Sequence, residues 1–181
     1  MRRILGLGLA ALFAAGCGGF AKSDAPVGSG GHGGADKSDG TGAAGMCTSQ
    51  MYWTDGDKGS EVMHPGGVCI TCHANSPEAP RFSVAGTVFP SSHEPDDCNG
   101  ASGALGITVV ITDATGKELA PIVVNEVGNF HYDGRIASPF HVKVVASGKA
   151  NVMSASPESG ECNACHTRNG ANSAPGRILV P

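Results

Sequence analysis

The chain has 181 residues and carries 12 Lys and Arg against 16 Asp and Glu, a formal net charge of −4. That balance argues against nucleic acid as a partner, because phosphate is met by a basic face. Seven cysteines, an odd number, raise the question of compartment and pairing before any question of fold.

The N-terminus answers part of it. Met1-Arg2-Arg3 precedes an apolar and small-residue run from Ile4 to Ala15, which ends in Ala14-Ala15-Gly16-Cys17. A positive start, a short apolar stretch and small residues at the exit describe a secretory leader, and the run is shorter than the ~20 residues that span a bilayer. A Cys directly after Ala-Ala-Gly resembles the lipobox of bacterial lipoproteins, with Ala14 where Leu is usual. The resemblance implies a leader over 1–16 and a diacylglyceryl group on Cys17. With Gly18 next to that Cys, it implies an outer-membrane anchor facing the periplasm or the cell surface. Ordinary cleavage after Ala15 or Ala21 is the alternative. Loss of Arg2 and Arg3 with the leader takes the net charge from −4 to −6.

Residues 17–46 are dominated by Gly, Ser, Ala, Asp and Lys and have hardly a large apolar side chain after Phe20. Such a stretch cannot bury enough surface to fold, and it reads as a tether with an end-to-end distance of about 30 Å. His32 falls within it as a solvated linker residue.

Residues 47–80, punctuated by Gly and Pro, predict loops and one short helix around Cys69-Ile70-Thr71-Cys72-His73. From residue 81 the period changes to two. Phe82–Phe89, Leu105–Thr112, Lys117–Val124, Asn129–Asp133, Phe140–Ser147 and Ala150–Ser154 read as strands, with Ile107, Val109 and Ile111 sharing one face. Asp113-Ala114-Thr115-Gly116 and Ser147-Gly148-Lys149 have hairpin-turn chemistry. The acidic run Glu94, Asp96, Asp97 reads as ordinary loop acidity beside Pro95 and Gly100. The expected fold class is mainly β: an antiparallel, Ig-like sandwich over 81–154 with short helical loops at its ends.

Within this segment, Val84-Ala85-Gly86-Thr87-Val88, Ile107 to Lys117, Gly128-Asn129-Phe130 and Phe140-His141-Val142-Lys143-Val144 resemble the carboxypeptidase-regulatory-like, or transthyretin-like, domains. The resemblance implies a sandwich scaffold without catalytic residues of its own. The long Asp- and Gly-rich loop from Pro90 to Gly103 departs from the short connection usual in that family.

Residues 155–181 hold a second pentapeptide, Cys162-Asn163-Ala164-Cys165-His166, placed in a loop before a closing strand at Arg177–Val180. Cys-x-x-Cys-His is the pattern of covalent c-type haem attachment: one helical turn presents both thiols to the porphyrin vinyl groups, and the next residue offers imidazole to iron. Two copies predict two haem c groups, on Cys69, Cys72 and His73 and on Cys162, Cys165 and His166. Zinc needs no adjacent His, and about 90 residues separate the two Cys pairs where zinc ribbons have ~15–20. Redox disulfides need no His either. With four Cys given to haem and one to lipid, Cys47 and Cys98 remain as an even pair in a compartment that permits a disulfide. Parallel pairing of the strands after the two motifs would place both at one pole, and antiparallel pairing at opposite poles.

For the sixth iron ligand the candidates are His64, His93, His131, His141, Met51, Met63 and Met153. His64 and His93 are expected, because both lie on Pro-containing loops near the motifs, with their pairing to the two haems left open. His141, on a strand, reads as surface-facing and His131 as structural. The expected function is an exported, membrane-anchored electron-transfer protein, with redox partner proteins and no catalytic residues. An acidic surface suits docking on basic redox partners. A small dihaem peroxidase or reductase, or a surface binding module with accessory haems, are the alternatives.

Overall fold

The structure is a computed structural model and describes residues 46–57 and 59–181. The leader, Cys17 and nearly all of the tether expected from the sequence lie outside the described residues. No helix among the described residues is long and apolar enough to cross a membrane.

The molecule is mainly β. Two short helices, α1 (Cys69–Ala74) and α2 (Cys162–Cys165), accompany β1 (Val84–Phe89), β2 (Thr108–Thr112), β3 (Ile122–Val123), β4 (Asn129–Tyr132), β5 (His141–Ala146), β6 (Lys149–Val152) and β7 (Ile178–Leu179). They form a three-stranded sheet, β4-β1-β7, and a four-stranded sheet, β3-β2-β5-β6. Every pairing is antiparallel except β1 with β7, where Val88 faces Ile178 and Phe89 faces Leu179 in parallel.

The core between the sheets follows from the period-two pattern. Ile107 just before β2, and Val109 and Ile111 within it, are fully buried and share a core with Val84 and Val88 of β1, Phe130 of β4 and Val144 of β5. At the turn after β5, Ser147 (φ 49°) and Gly148 (φ 75°) are both left-handed, the geometry whose twist matches that of the strands it joins. After β2, the Asp113 carboxylate accepts hydrogen bonds from the N–H groups of Thr115 and Lys117, which closes a tight loop back to Glu118.

Three local expectations change. The strand foreseen over 117–124 shrinks to Ile122–Val123 because Pro121 has no N–H for a ladder. Leu105 ends a 3-10 turn instead of opening β2, since Gly106 turns left-handed (φ 71°) between them. The strand read over 150–154 lies instead at Lys149–Val152, in register with β5.

The segment before α1 is fastened to the sandwich by a Cys47–Cys98 disulfide with Cα atoms 5.5 Å apart. Trp53 N–H donates to the Asp97 carbonyl and Asn99 N–H to the Met51 carbonyl beside it. Glu94 corrects the reading of its loop as ordinary surface acidity, because its side chain is completely buried. Its carboxylate accepts from Thr48 N–H, Ser49 N–H and the Ser91 hydroxyl, so it ties the loop to the turn after Cys47. Arg177, also buried, bonds the Glu94 carbonyl through Nε, pairs with Asp96 and lies 4.6 Å over the Phe89 ring.

Candidate functional site

β1 positions both pentapeptides. One of its edges is covered by β4, and the other is filled in succession by the C-terminal part of the chain. Ala85 N–H donates to the Gly160 carbonyl (2.9 Å), Thr87 N–H to the Asn163 side-chain carbonyl (3.1 Å), and further along the strand β7 pairs with Val88 and Phe89. The second pentapeptide is thus spliced into the sheet edge, and residues 166–177 form the loop that joins α2 to β7.

Each pentapeptide is bonded to the residues that immediately precede the other. Thr71 N–H in α1 donates to the Glu161 carboxylate at 2.7 Å, and the Asn163 amide donates to the Gly67 carbonyl at 2.8 Å. A buried polar cluster extends this junction. The Thr87 hydroxyl accepts from Gly66 N–H and donates to Asn129, whose amide in turn holds the Met63 carbonyl. Both motifs therefore lie at one pole, as the parallel β1–β7 pairing requires.

Close approach here depends on Gly86. A Cβ on Gly86 would stand 2.9 Å from the Cys162 Cβ and 2.9 Å from the Phe130 ring. Gly86→Ala is expected to lower stability by about 1–3 kcal/mol through overpacking, read as an earlier midpoint in urea unfolding. An unchanged midpoint would mean that Cys162 shifts freely and is not fixed by β1.

All four thiols of the pentapeptides are free of disulfides. Burial pushes the Cys69 thiol up to about 11, with the Glu161 carboxylate adding to it. It pushes the Cys162 thiol up to about 12, with Cys69 and then Glu161 adding to it. For Cys69 and Cys162 this direction disfavours the thiolate that drives disulfide exchange. Among the described residues, the group of three or more metal-ligating side chains within 4.8 Å of one another is Cys47, Glu94 and Cys98, two of which are bonded to each other. The four pentapeptide sulfurs do not gather into a tetrahedral set.

The two histidines are oriented alike. His73 Nδ1 lies 2.9 Å from the Pro80 carbonyl and His166 Nδ1 lies 2.9 Å from the Gly176 carbonyl. A carbonyl only accepts, so in the neutral ring Nδ1 carries the hydrogen and Nε2 keeps its lone pair for a metal. Such a second partner fixes the ring and its tautomer for ligation. Free thiols, two per helical turn, beside an imidazole anchored in this way form a donor set that fits haem c.

The candidates for a sixth ligand are dispersed. His64 stacks on Trp53 at 4.6 Å between centroids, with Nδ1 3.4 Å from Asp57 and Nε2 3.8 Å from Asp97. His93 Nδ1 bonds the Arg168 carbonyl at 2.8 Å, on the loop after His166. His131 is exposed and stacks on Phe82, which packs in turn against His73. His141 is exposed at the start of β5 beside Ser156, as its strand position implied. Met51 is exposed on the N-terminal segment, Met63 lends its carbonyl to Asn129, and Met153 adjoins β6 in the other sheet.

Sequence reasoning missed Asn163 and Glu161. Asn163 occupies a variable position of its pentapeptide yet is buried and bonds β1 and the first motif at once. The only cue was a side chain with both a donor and an acceptor at a position where the pattern tolerates any residue. Comparison with protein-family models, curated proteins and solved structures found no match.

Proposed function

We propose that the chain is an exported electron-transfer protein carrying two covalently attached c-type haems, held at a membrane through lipid on Cys17. The observation that carries this reading is the pair of pentapeptides at one pole, each with its histidine Nδ1 bonded to a backbone carbonyl. Bound there, haem supplies a one-electron redox couple.

The residues of the chain would do the rest. Cys69 and Cys72, and Cys162 and Cys165, form the thioethers. His73 and His166 present Nε2 to iron. Asn163, Glu161 and Thr87 hold the two attachment turns against each other, which favours passage of an electron between the two sites and out to redox partner proteins. The acidic balance of the chain supports docking on basic partners and argues against nucleic acid. A sandwich of the carboxypeptidase-regulatory-like kind serves as scaffold in this reading.

The test is a mass measurement on protein matured with the haem-attachment machinery. The chain is expected to gain two haems, and Cys69→Ala/Cys72→Ala and Cys162→Ala/Cys165→Ala are expected to lose one each. Two low-spin haems that do not react with peroxide or carbon monoxide support electron transfer. A matured chain without covalent haem overturns the reading, and a peroxide-reactive high-spin haem replaces it with peroxidase chemistry.

A further inference from the structure

Six histidines lie among the described residues, and three share one arrangement: His73, His93 and His166 each have Nδ1 within 2.9 Å of a backbone carbonyl. In the neutral ring that bond leaves Nε2 with a free lone pair and a fixed direction. His73 and His166 follow their Cys pairs directly. His93 follows none, yet its ring is anchored in the same way.

His93 also belongs to one particular neighbourhood. Its carbonyl partner, Arg168, lies two residues beyond His166. The Ser92 carbonyl accepts from Arg177 N–H at 2.9 Å, and His93 Cε1 is 3.5 Å from where a Cβ on Gly176 would stand. Gly176 is the residue whose carbonyl holds His166 Nδ1. Both rings are therefore fixed on one loop, 166–177.

The backbone that carries His93 is firmly held. Its neighbour Glu94 is completely buried with both carboxylate oxygens bonded, and Cys98 is in the disulfide. A ligand on such a segment is preorganised. The remaining histidines are engaged elsewhere: His64 between Asp57 and Asp97, His131 on Phe82, and His141 with Ser156.

We propose that His93 is the sixth ligand of the iron held by His166, so that the second motif carries a bis-imidazole haem. This inference rests on the dihaem reading above. It settles a pairing that sequence leaves open, because nothing in spacing along the chain relates residue 93 to residue 166.

The experiment uses the full chain, matured and shown by mass to hold two haems, with His93→Met and His93→Ala compared with wild type by optical and electron paramagnetic resonance spectroscopy. One half of the haem is expected to leave the bis-imidazole low-spin state. It becomes His/Met low-spin in His93→Met and high-spin in His93→Ala, and added imidazole restores the low-spin spectrum of His93→Ala. In a chain that also carries Cys69→Ala/Cys72→Ala, all of the remaining haem is expected to change. Unchanged spectra in both His93 variants, or a change confined to the first-motif haem, overturns the assignment while a count of two haems keeps the dihaem reading. A wild-type chain without covalent haem overturns both.

Discussion

Replacing Cys47 and Cys98 together by alanine is expected to lower the stability of the folded protein by about 4 kcal/mol, because the bond closes a loop of some 51 residues whose freedom the unfolded chain would regain. Alanine is the better replacement, since both positions are buried and an unpartnered hydroxyl would add a separate cost. Urea unfolding is the direct measurement, with a midpoint lowered by roughly 2 M if the slope is about 2 kcal/mol per M. The effect is not confined to entropy. Thr48 and Ser49, which give their N–H groups to the buried Glu94 carboxylate, immediately follow Cys47. Without the bond, the turn is freer to leave and expose that carboxylate. A loss below about 1 kcal/mol would mean that the segment before Trp53 is held by its hydrogen bonds alone.

The second large effect is expected at Asn163. Its side-chain carbonyl takes the N–H of the fully buried Thr87, and its amide gives one hydrogen to the Gly67 carbonyl at 2.8 Å and approaches the Thr87 hydroxyl at 3.2 Å. Asn163→Ala leaves the Thr87 N–H facing a void, and a buried donor without a partner costs about 1–3 kcal/mol. With the Gly67 contact also lost, a total of about 2–4 kcal/mol is expected from the two together. Asn163→Asp separates the parts: it keeps the acceptor for Thr87 but turns a carboxylate oxygen towards the Gly67 carbonyl, and it is expected to unfold no later than Asn163→Ala. On the proposed dihaem reading, Asn163→Ala is also expected to change the Soret circular dichroism by loosening one attachment turn against the other. Stability within about 0.5 kcal/mol of wild type would remove Asn163 as the junction between the motifs.

The part of the fold legible in the sequence is the part set by short-range periodicity. Ile107, Val109 and Ile111 recur at every second position, and a strand that turns one face to the core is a sufficient physical cause for that spacing, although Val110 on the other face is buried too. Turn chemistry at Asp113 and at Ser147-Gly148 was legible for the same reason, since left-handed backbone and Asx bonds restrict which residues serve there. The two pentapeptides were legible as a donor set because their spacing itself carries the chemistry. Cysteine arithmetic likewise isolated Cys47 and Cys98, the two thiols that the structure joins.

What could not be read depends on contacts far apart in the chain. The pairing of Val88 with Ile178 spans the molecule, and either direction for the last strand was compatible with its few residues. Glu94 carries no local mark of burial, because the groups that satisfy it come from Thr48 and Ser49, more than forty positions away. Lys117–Val124 failed in the opposite sense: alternation was present, but Pro121 removed the ladder donor that a strand of that length needs. His93 was expected as a ligand from its loop, but which motif it adjoins became visible only through Arg168 and Gly176.

The parallel β1–β7 pairing has a consequence in time. β1 lies near the middle of the sequence, but residues 160–163 and 178–179, which complete its open edge, are synthesised well after it. Until those residues are synthesised, the smaller sheet cannot close, and the Cys69 and Cys162 thiols have not yet been drawn into their half-buried positions. Those sulfurs are therefore more open to reagents during a window that ends when β7 pairs with β1. A variant that lacks Ile178 and Leu179 would hold that window open, since β7 is the strand that shuts it.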